Sequence, residues 1–263
     1  MRVILHADDF GYDKDTTVAT IELFESGELS SASIMATMPE AETAIAYAAK
    51  HPEHSYGVHL TYVDGLEPAM KKGSSSLLDE NGLFYPSALV RKNALLLKLN
   101  KKDIVEESIA QIEKVKLGGV KISHLDSHGH LHKFPSFLLA LPEIKKRSGI
   151  KRVRRVQNVF LQHPGLSPTS ILNKCFDWKI AHSCKTTDYF YMSANNMETG
   201  WTDALLAQMD CLPQEAIIEV GIHPGHADTD EERWRIAEYN DTKAFAKKIR
   251  ASGKHKIITW KEV

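Results

Sequence analysis

The chain of 263 residues contains little cysteine, no marked excess of charge of either sign and no long apolar run. Its three cysteines, Cys175, Cys184 and Cys211, form no C-x-x-C pair, which favours a reduced, cytoplasmic protein. Lys and Arg number 33 and Asp and Glu 34, whereas a nucleic-acid-binding protein normally carries a basic excess. No segment approaches the roughly 18 apolar residues of a membrane-spanning helix. We therefore expect neither nucleic acid nor membrane among the partners.

Several catalytic motifs are absent as well. The sequence holds no G-x-S-x-G, no Walker A pattern and no H-E-x-x-H, so serine-hydrolase, P-loop and zincin chemistry have no support. The triplet Asp9-Phe10-Gly11 also occurs in protein kinases, but the glycine-rich loop and the H-R-D segment of kinases are missing. Histidine, with 13 copies, is the abundant residue type from which the chemistry could come.

Short apolar runs alternate with longer amphipathic stretches along the whole chain, without an internal repeat or a linker. Seven or eight strands, each followed by a helix, predict one α/β domain over residues 1–263, folded as a (β/α) barrel, with a doubly wound open sheet as the alternative. The stretch 65–85 lacks periodicity and is predicted to be a substrate-covering loop. Strands are predicted for residues 2–7, 31–38, 56–62, 152–157 and 216–222, with others beginning at Val120 and near 257–259. Helices are predicted from Asp15 or Thr16 to Gly27 and over residues 41–50, 103–116, 136–147 and 241–251.

Polar residues stand at the ends of four predicted strands. Because the C-terminal strand ends of a (β/α) barrel share one face, where active sites are built, we expect these residues to converge. The four segments are Asp8-Asp9-Phe10-Gly11, Gly57-Val58-His59, the run from His124 to His132, and His223-Pro224-Gly225-His226.

The histidine-rich run holds four histidines and a carboxylate within nine residues. If the strand continues through it, Val120, Ile122, His124, Asp126 and His128 fall on one face. An apolar strand face that turns ionisable at its end is typical of a metal site. Hydrogen bonding of these histidines to the backbone at the strand end is the alternative, but their number favours a metal or catalytic role.

Asp8 and Asp9 form an adjacent pair of carboxylates at the end of an apolar strand. Two like charges this close repel each other unless a cation lies between them, so one acid as a ligand and the other as a base is a natural division. His223 follows an apolar strand and precedes a proline, which suits a fixed imidazole aimed into a pocket. His226 is either its neighbour or a loop residue.

Four segments of the chain resemble the YdjC-like carbohydrate deacetylases, a family that includes chito-oligosaccharide deacetylase. They are Ala7–Gly11, Gly57–Thr61, His124–His128 and Gly221–Gly225, in the family order, while residues 160–210 match less clearly. The resemblance implies a distorted (β/α) barrel, a divalent metal ion, usually magnesium, and removal of acetyl groups from N-acetylated carbohydrates. It also implies Asp9, His59 and His128 as metal ligands, Asp8 as the general base and His223 as the general acid.

The resemblance also places an arginine near the base, for which Arg154 and Arg155 are both candidates because the proline usual in that motif is missing. The role of His130 stays open, since Gly129 stands where some relatives carry another histidine. His124, Asp126 and His226 are further candidates for the site.

Two nitrogen ligands and one oxygen ligand suit zinc or another first-row ion better than magnesium, which prefers oxygen. The expected substrate is an acetylated oligosaccharide or amino sugar. The alternatives are a metal-dependent phosphoesterase or isomerase, and a non-catalytic metal- or sugar-binding protein. The oligomeric state is not readable from the sequence, and a homo-oligomer is left open.

Overall fold

A computed structural model describes residues 1–70, 75–161, 167–193, 200–227 and 233–263. Within these residues the strands are β1 (Arg2–Phe10), β2 (Ser31–Ile34), β3 (Ser55–Leu60), β4 (Ile122–Ser127), β5 (Tyr189–Met192), β6 (Ile217–Ile222) and β7 (Lys256–Ile257). The α-helices are α1 (Lys14–Glu25), α2 (Ala41–Lys50), α3 (Ser87–Leu95), α4 (Lys101–Leu117), α5 (Pro135–Ser148), α6 (Pro168–Ser183), α7 (Trp201–Asp210) and α8 (Arg233–Ser252). Two 3₁₀ turns span His128–Lys133 and Trp260–Glu262.

The strands form one curled parallel sheet in the order β4-β3-β2-β1-β6-β5, and β7 pairs with the start of β1. The segment 152–159 lies between the two edge strands. On one side, Arg154 N donates to Leu125 O of β4 at 2.9 Å, and on the other, Val159 N donates to Phe190 O of β5 at 3.2 Å. The chain is therefore an α/β domain with a barrel-like sheet, as the alternation of strands and helices predicts.

The two faces of the sheet differ in chemistry, because successive side chains of a strand point to opposite sides. In β1, Val3, Leu5 and Ala7 belong to the main hydrophobic core, whereas His6 and Asp8 are buried inside the curl of the sheet. A small apolar cluster of Ile4, Ile217, Ile258 and Trp260 fills one end of this interior. The opposite end, at the C-terminal strand ends, is polar and forms the site described below.

Several helices begin and end at residues suited to these positions. Asp13 caps α1 by accepting from Thr16 N at 2.8 Å, so the cap lies two residues before Asp15, the earlier of the two predicted starts. Helix α5 has Pro135 in its first turn and ends at Gly149, whose φ of 77° is left-handed. None of the described helices combines the length and apolarity needed to cross a membrane.

The structure corrects some of the predicted boundaries. The predicted strand 152–157 is wrong, because Arg152 and Val153 form only isolated bridges, to Lys185 and Leu125. The prediction for 31–38 is too long, since β2 ends at Ile34. Helix α8 begins at Arg233 rather than at residue 241. Residues 71–74 of the predicted loop 65–85 lie outside the described residues, and α3 directly after the loop was not predicted.

Candidate active site

Asp8 and Asp9 both point into the polar end of the sheet interior, although consecutive strand residues normally face opposite sides. The cause is an irregularity in β1: its register with β2 shifts between Ala7 and Phe10, and Asp9 has a φ of 59°. This left-handed conformation is uncommon for a residue other than glycine and carries strain. The bulge brings two carboxylates, each about 2% exposed or less, into one site.

Asp9, His59 and His128 form a group that could hold a metal ion, with one ligand atom from each lying within 4.8 Å of the others. Asp9 Oδ1 lies 3.0 Å from His128 Nδ1 and 3.4 Å from His59 Nε2. His59 comes from β3, and His128 begins the 3₁₀ turn that follows β4. Burial opposes ionisation of Asp9, but His128, His223 and His59 together outweigh it and hold the pKa of the carboxyl well below its usual value. The three residues implied by the sequence resemblance therefore lie together.

His59 is held by its other ring nitrogen. Nδ1 lies 3.0 Å from Asp126 Oδ1 and 3.0 Å from Ser33 Oγ, which leaves Nε2 facing Asp9. A carboxylate on the far nitrogen fixes the orientation of a ligating histidine and raises its basicity. Burial lowers the pKa of His59, but Asp126, Asp8 and Asp9 together outweigh it and raise the pKa to about 9.

Arg154 is fully buried and binds Asp8 in a bidentate pair. Its Nη1 donates to Asp8 Oδ2 at 2.8 Å and its Nη2 to Asp8 Oδ1 at 2.7 Å. The same guanidinium contacts Glu219 Oε1 at 2.7 Å and Asp126 Oδ2 at 2.9 Å. Burial opposes ionisation of Asp8, but Arg154 and His59 together outweigh it, so the pKa of Asp8 is well below its usual value. Asp8 is therefore an ionised carboxylate at neutral pH, held in one orientation.

His223 follows β6 and lies on the other side of Asp8. Its Nε2 is 3.8 Å from Asp8 Oδ2, and its Nδ1 is 3.4 Å from Glu238 Oε2. Glu238 also accepts hydrogen bonds from the backbone N–H of His223 and from Ser193. Burial disfavours the charged imidazole, but Glu238, Asp9 and Asp8 together outweigh it and the pKa of His223 is raised. The protonated form of the ring is therefore favoured, and it lies next to Asp8.

His124 lies in the interior but is packed rather than free to bind a ligand. Its ring stacks on Trp260 with centroids 4.5 Å apart. On the other side its Nε2 abuts Gly57, where a Cβ would lie only 2.5 Å away. Burial lowers the pKa of His124 to about 3, so the ring is neutral. His6, His124 and Asp126 are close enough to form a second metal group, but the packing of His124 argues against it.

Two of the other candidate residues, Arg155 and His226, lie apart from this centre, whereas His130 lies beside Phe190, whose ring also contacts Arg154. Arg155 pairs with Asp177 of α6, its Nε donating to Oδ1 at 3.0 Å. His226 Nε2 lies 2.8 Å from Glu22 Oε2 of α1. His130 stands in the turn after His128 with its ring centroid 5.9 Å from that of Phe190.

Glu219, Arg235 and Glu238 belong to the site but were not predicted. Glu219 is a charged residue inside the apolar strand Ile217–Ile222. This exception to the apolar pattern could have identified it as a candidate site residue. Burial raises its pKa to about 7, against the lowering effect of Arg154. Arg235 and Glu238 lie one turn apart on α8 and are both buried. The sequence of this helix is rich in charged residues, and no pattern in it separates the buried ones from those exposed to solvent. Arg235 Nη2 lies 3.1 Å from Asp9 Oδ2.

Comparisons with known proteins point to one family. The family described as YdjC-like protein matches residues 2–252. A carbohydrate deacetylase of Geobacillus stearothermophilus is 35% identical over 144 residues, which make up 55% of this chain and 56% of that protein. A carbohydrate deacetylase of Clostridium beijerinckii is 26% identical over 229 residues, 87% of this chain and 83% of that protein.

The match to the Geobacillus protein thus spans little more than half of its length. A solved structure from Enterococcus faecalis, described as that of a candidate cellobiose-phosphate cleavage protein, has a TM-score of 0.80 to this chain at 22% identity. The match covers 99% of this chain and 98% of that one, which shows a shared fold. Because the family match extends over residues 2–252, the chain belongs to the YdjC-like family.

Proposed function

We propose that the protein is a metal-dependent hydrolase that removes acetyl groups from N-acetylated carbohydrates. The observation that carries the proposal is the position of Asp8, an arginine-held carboxylate, between the Asp9–His59–His128 group and His223. Amide hydrolysis needs a polarised carbonyl, an activated water and a proton for the departing amine. Each need has a candidate within this cluster, and the named relatives are carbohydrate deacetylases.

The donor set fits a divalent metal ion. Asp9, His59 and His128 provide one oxygen and two nitrogen ligands, and Asp126 holds the far nitrogen of His59 as in metal sites of known proteins. Such an ion polarises a carbonyl and lowers the pKa of a bound water from about 15.7 to about 7. The ligand chemistry favours zinc or a similar ion over magnesium.

The protein side chains supply the proton transfers. Asp8 is ionised because Arg154 stabilises its charge, so it can accept the proton of the attacking water. Glu238 raises the pKa of His223 and so favours its protonated form, which can protonate the amine as the carbon–nitrogen bond breaks. General acids and bases each contribute about 10²–10⁴-fold, or roughly 3–5 kcal/mol of barrier.

The experiment that tests the proposal is acetate release from N,N'-diacetylchitobiose. Chelator-treated protein is titrated with zinc, cobalt, manganese and magnesium, and acetate is measured in each series. We expect no release without metal and restored release with at least one ion. Tight metal binding without acetate release from this or any other acetylated sugar would contradict the substrate class.

A non-catalytic metal- or sugar-binding protein would need the ligands but not Asp8. We therefore expect Asp8→Asn to keep metal and lose acetate release. Release that is unchanged in Asp8→Asn would contradict the assignment of the base.

A further inference from the structure

Arg235 on α8 places a buried guanidinium beside Asp9, the proposed oxygen ligand of the metal. Its carbon Cζ lies 4.7 Å from the ring centroid of Trp234 and 5.5 Å from that of Tyr12. Contacts with aromatic rings restrict the plane of a guanidinium. Together with the bond from Nη2 to Asp9 Oδ2, they hold the donors of Arg235 in a fixed orientation.

Arg235 has unused hydrogen-bonding capacity. Its Nε and Nη1 are buried and have no hydrogen-bond partner among the described residues. Buried polar groups in native proteins are nearly always paired, and an unpaired group is costly, more so when it is charged. Two unpaired donors on the guanidinium that touches Asp9 therefore indicate an acceptor that binds at this place.

Arg154, the other guanidinium of the site, lacks such capacity. All three of its side-chain nitrogens donate to carboxylates: Nε to Glu219, Nη1 to Asp8 and Nη2 to both. It can hold the base but has no nitrogen left without a partner. Of the two arginines at the described site, Arg235 is thus the one with donors free for a substrate.

We propose that Arg235 is a catalytic residue that donates from Nη1 to the acyl oxygen of the substrate as negative charge develops on it, and to a carboxylate oxygen of the acetate product. The inference rests on the proposed function. Addition of water to the acyl carbon moves the carbonyl π electrons onto the oxygen, where Arg235 stabilises them. When the carbonyl re-forms, the carbon–nitrogen bond breaks, the amine takes a proton from His223, and acetate remains with one of its oxygens at Nη1. A hydrogen bond between a guanidinium and a carboxylate is charge-assisted and therefore stronger than a neutral one.

The test compares Arg235→Ala with Arg250→Ala. Arg250 is on the same helix, but its guanidinium donates to the backbone oxygen of Gly27, away from the site. Removal of one oxyanion donor typically costs about 10²–10³-fold in kcat. We expect a loss of this size in Arg235→Ala, with bound metal retained and KM changed much less. We expect no loss in Arg250→Ala.

Two further measurements separate this role from a structural one. Added guanidinium ion should restore part of the activity of Arg235→Ala, and the affinity for acetate, measured by calorimetry with and without metal, should fall in this variant. Arg235→Lys keeps the positive charge beside Asp9 but loses the planar fork. If Arg235→Ala does not fold, we expect Arg235→Lys to retain metal, to lose kcat and to bind acetate more weakly.

The proposal is overturned if Arg235→Ala keeps its kcat once metal is restored, because Arg235 then only balances the charge of Asp9. Unchanged acetate affinity in both variants overturns it too. Acetate binding that depends on Arg235, in a protein that releases acetate from no acetylated sugar, would support the oxyanion site and contradict only the proposed function.

Discussion

Gly57 and His124 face each other on the neighbouring strands β3 and β4 so closely that a Cβ on Gly57 would lie 2.5 Å from His124 Nε2. His124 cannot move away, because its other face stacks on Trp260. We expect Gly57→Ala to lower the free energy of unfolding by about 1–3 kcal/mol, the usual cost of overpacking a core. Urea denaturation measures this change.

The control is a double-mutant cycle with His124→Ala, which removes the ring that the new methyl group meets. The two substitutions together should cost clearly less than the sum of the single costs. Additive costs would contradict steric conflict at this contact.

Asp126 should govern metal affinity through His59. Asp126→Asn removes the charge at His59 Nδ1, and loss of such a partner typically costs 10–100-fold in metal affinity. Competition with a chromogenic chelator measures it. Ser33→Ala removes the second partner of the same nitrogen, a neutral hydroxyl 3.0 Å away, and should cost less because hydrogen bonds to charged groups are stronger. An equal loss in both variants would argue against a special role of the carboxylate.

Arg154 and Arg155 are adjacent in sequence but should differ in function. Arg154→Lys replaces the bidentate pair with Asp8 by a point charge, and we expect a large fall in kcat. Removing one partner of a buried ion pair typically costs about 3–5 kcal/mol, so stability should fall in any variant that loses the charge. Arg155→Lys affects a pair with Asp177 and should leave kcat unchanged. Comparable kcat values in the two lysine variants would contradict the assignment of Arg154.

Three histidine variants should separate metal binding from proton transfer. His128→Ala should lose metal and nearly all activity, whereas His223→Ala should keep metal and lose turnover. His226→Ala should change neither, since His226 pairs with Glu22 on α1. Metal content and kcat are measured on the same preparations of each variant. Equal metal loss in His128→Ala and His223→Ala would contradict the assignment of His128 to metal binding and of His223 to proton transfer.

Glu238 should set the alkaline limb of the pH profile. As a general acid, His223 must be protonated, and its pKa is raised above 6.5, so activity should fall as the pH rises through that raised value. Glu238→Gln removes the main charge that raises this pKa, and the alkaline limb of kcat/KM should then move to lower pH. Glu22→Gln, which removes the partner of His226, serves as the matched control and should leave the limb in place.

The sequence was sufficient to predict the alternation of strands and helices and the strand ends at which Asp8, Asp9, His59 and His223 stand. These positions follow from local patterns, because each polar group directly follows an apolar run. The segment 152–157 differs, because its only apolar residues are Val153 and Val156, and it forms isolated bridges rather than a strand. Whether such a segment pairs with its neighbours as a strand depends on residues far away in the chain, which no local pattern records.

Local sequence patterns predict neither the bulge at Asp9 nor which of Arg154 and Arg155 binds Asp8. Asp8 and Asp9 share one pocket only because of a left-handed residue in β1. Arg154 faces the interior and Arg155 pairs with Asp177 of α6, in a segment whose backbone is held by hydrogen bonds between Leu125 and residues 152 and 154. Both depend on contacts between residues far apart in the chain.

Because of Trp260, the assembly of the site depends on the order in which the residues of the chain are synthesised. Its indole N–H lies 3.3 Å from Glu219 Oε1, and Glu219 in turn holds Arg154, the partner of Asp8. The charged cluster therefore joins residues from both ends of the chain, and contacts of such sequence separation form late. On a ribosome, Asp8 would emerge long before the tryptophan that covers the cluster. Until then Glu219 lacks its indole partner, so the charged cluster is completed by a turn at the opposite end of the barrel.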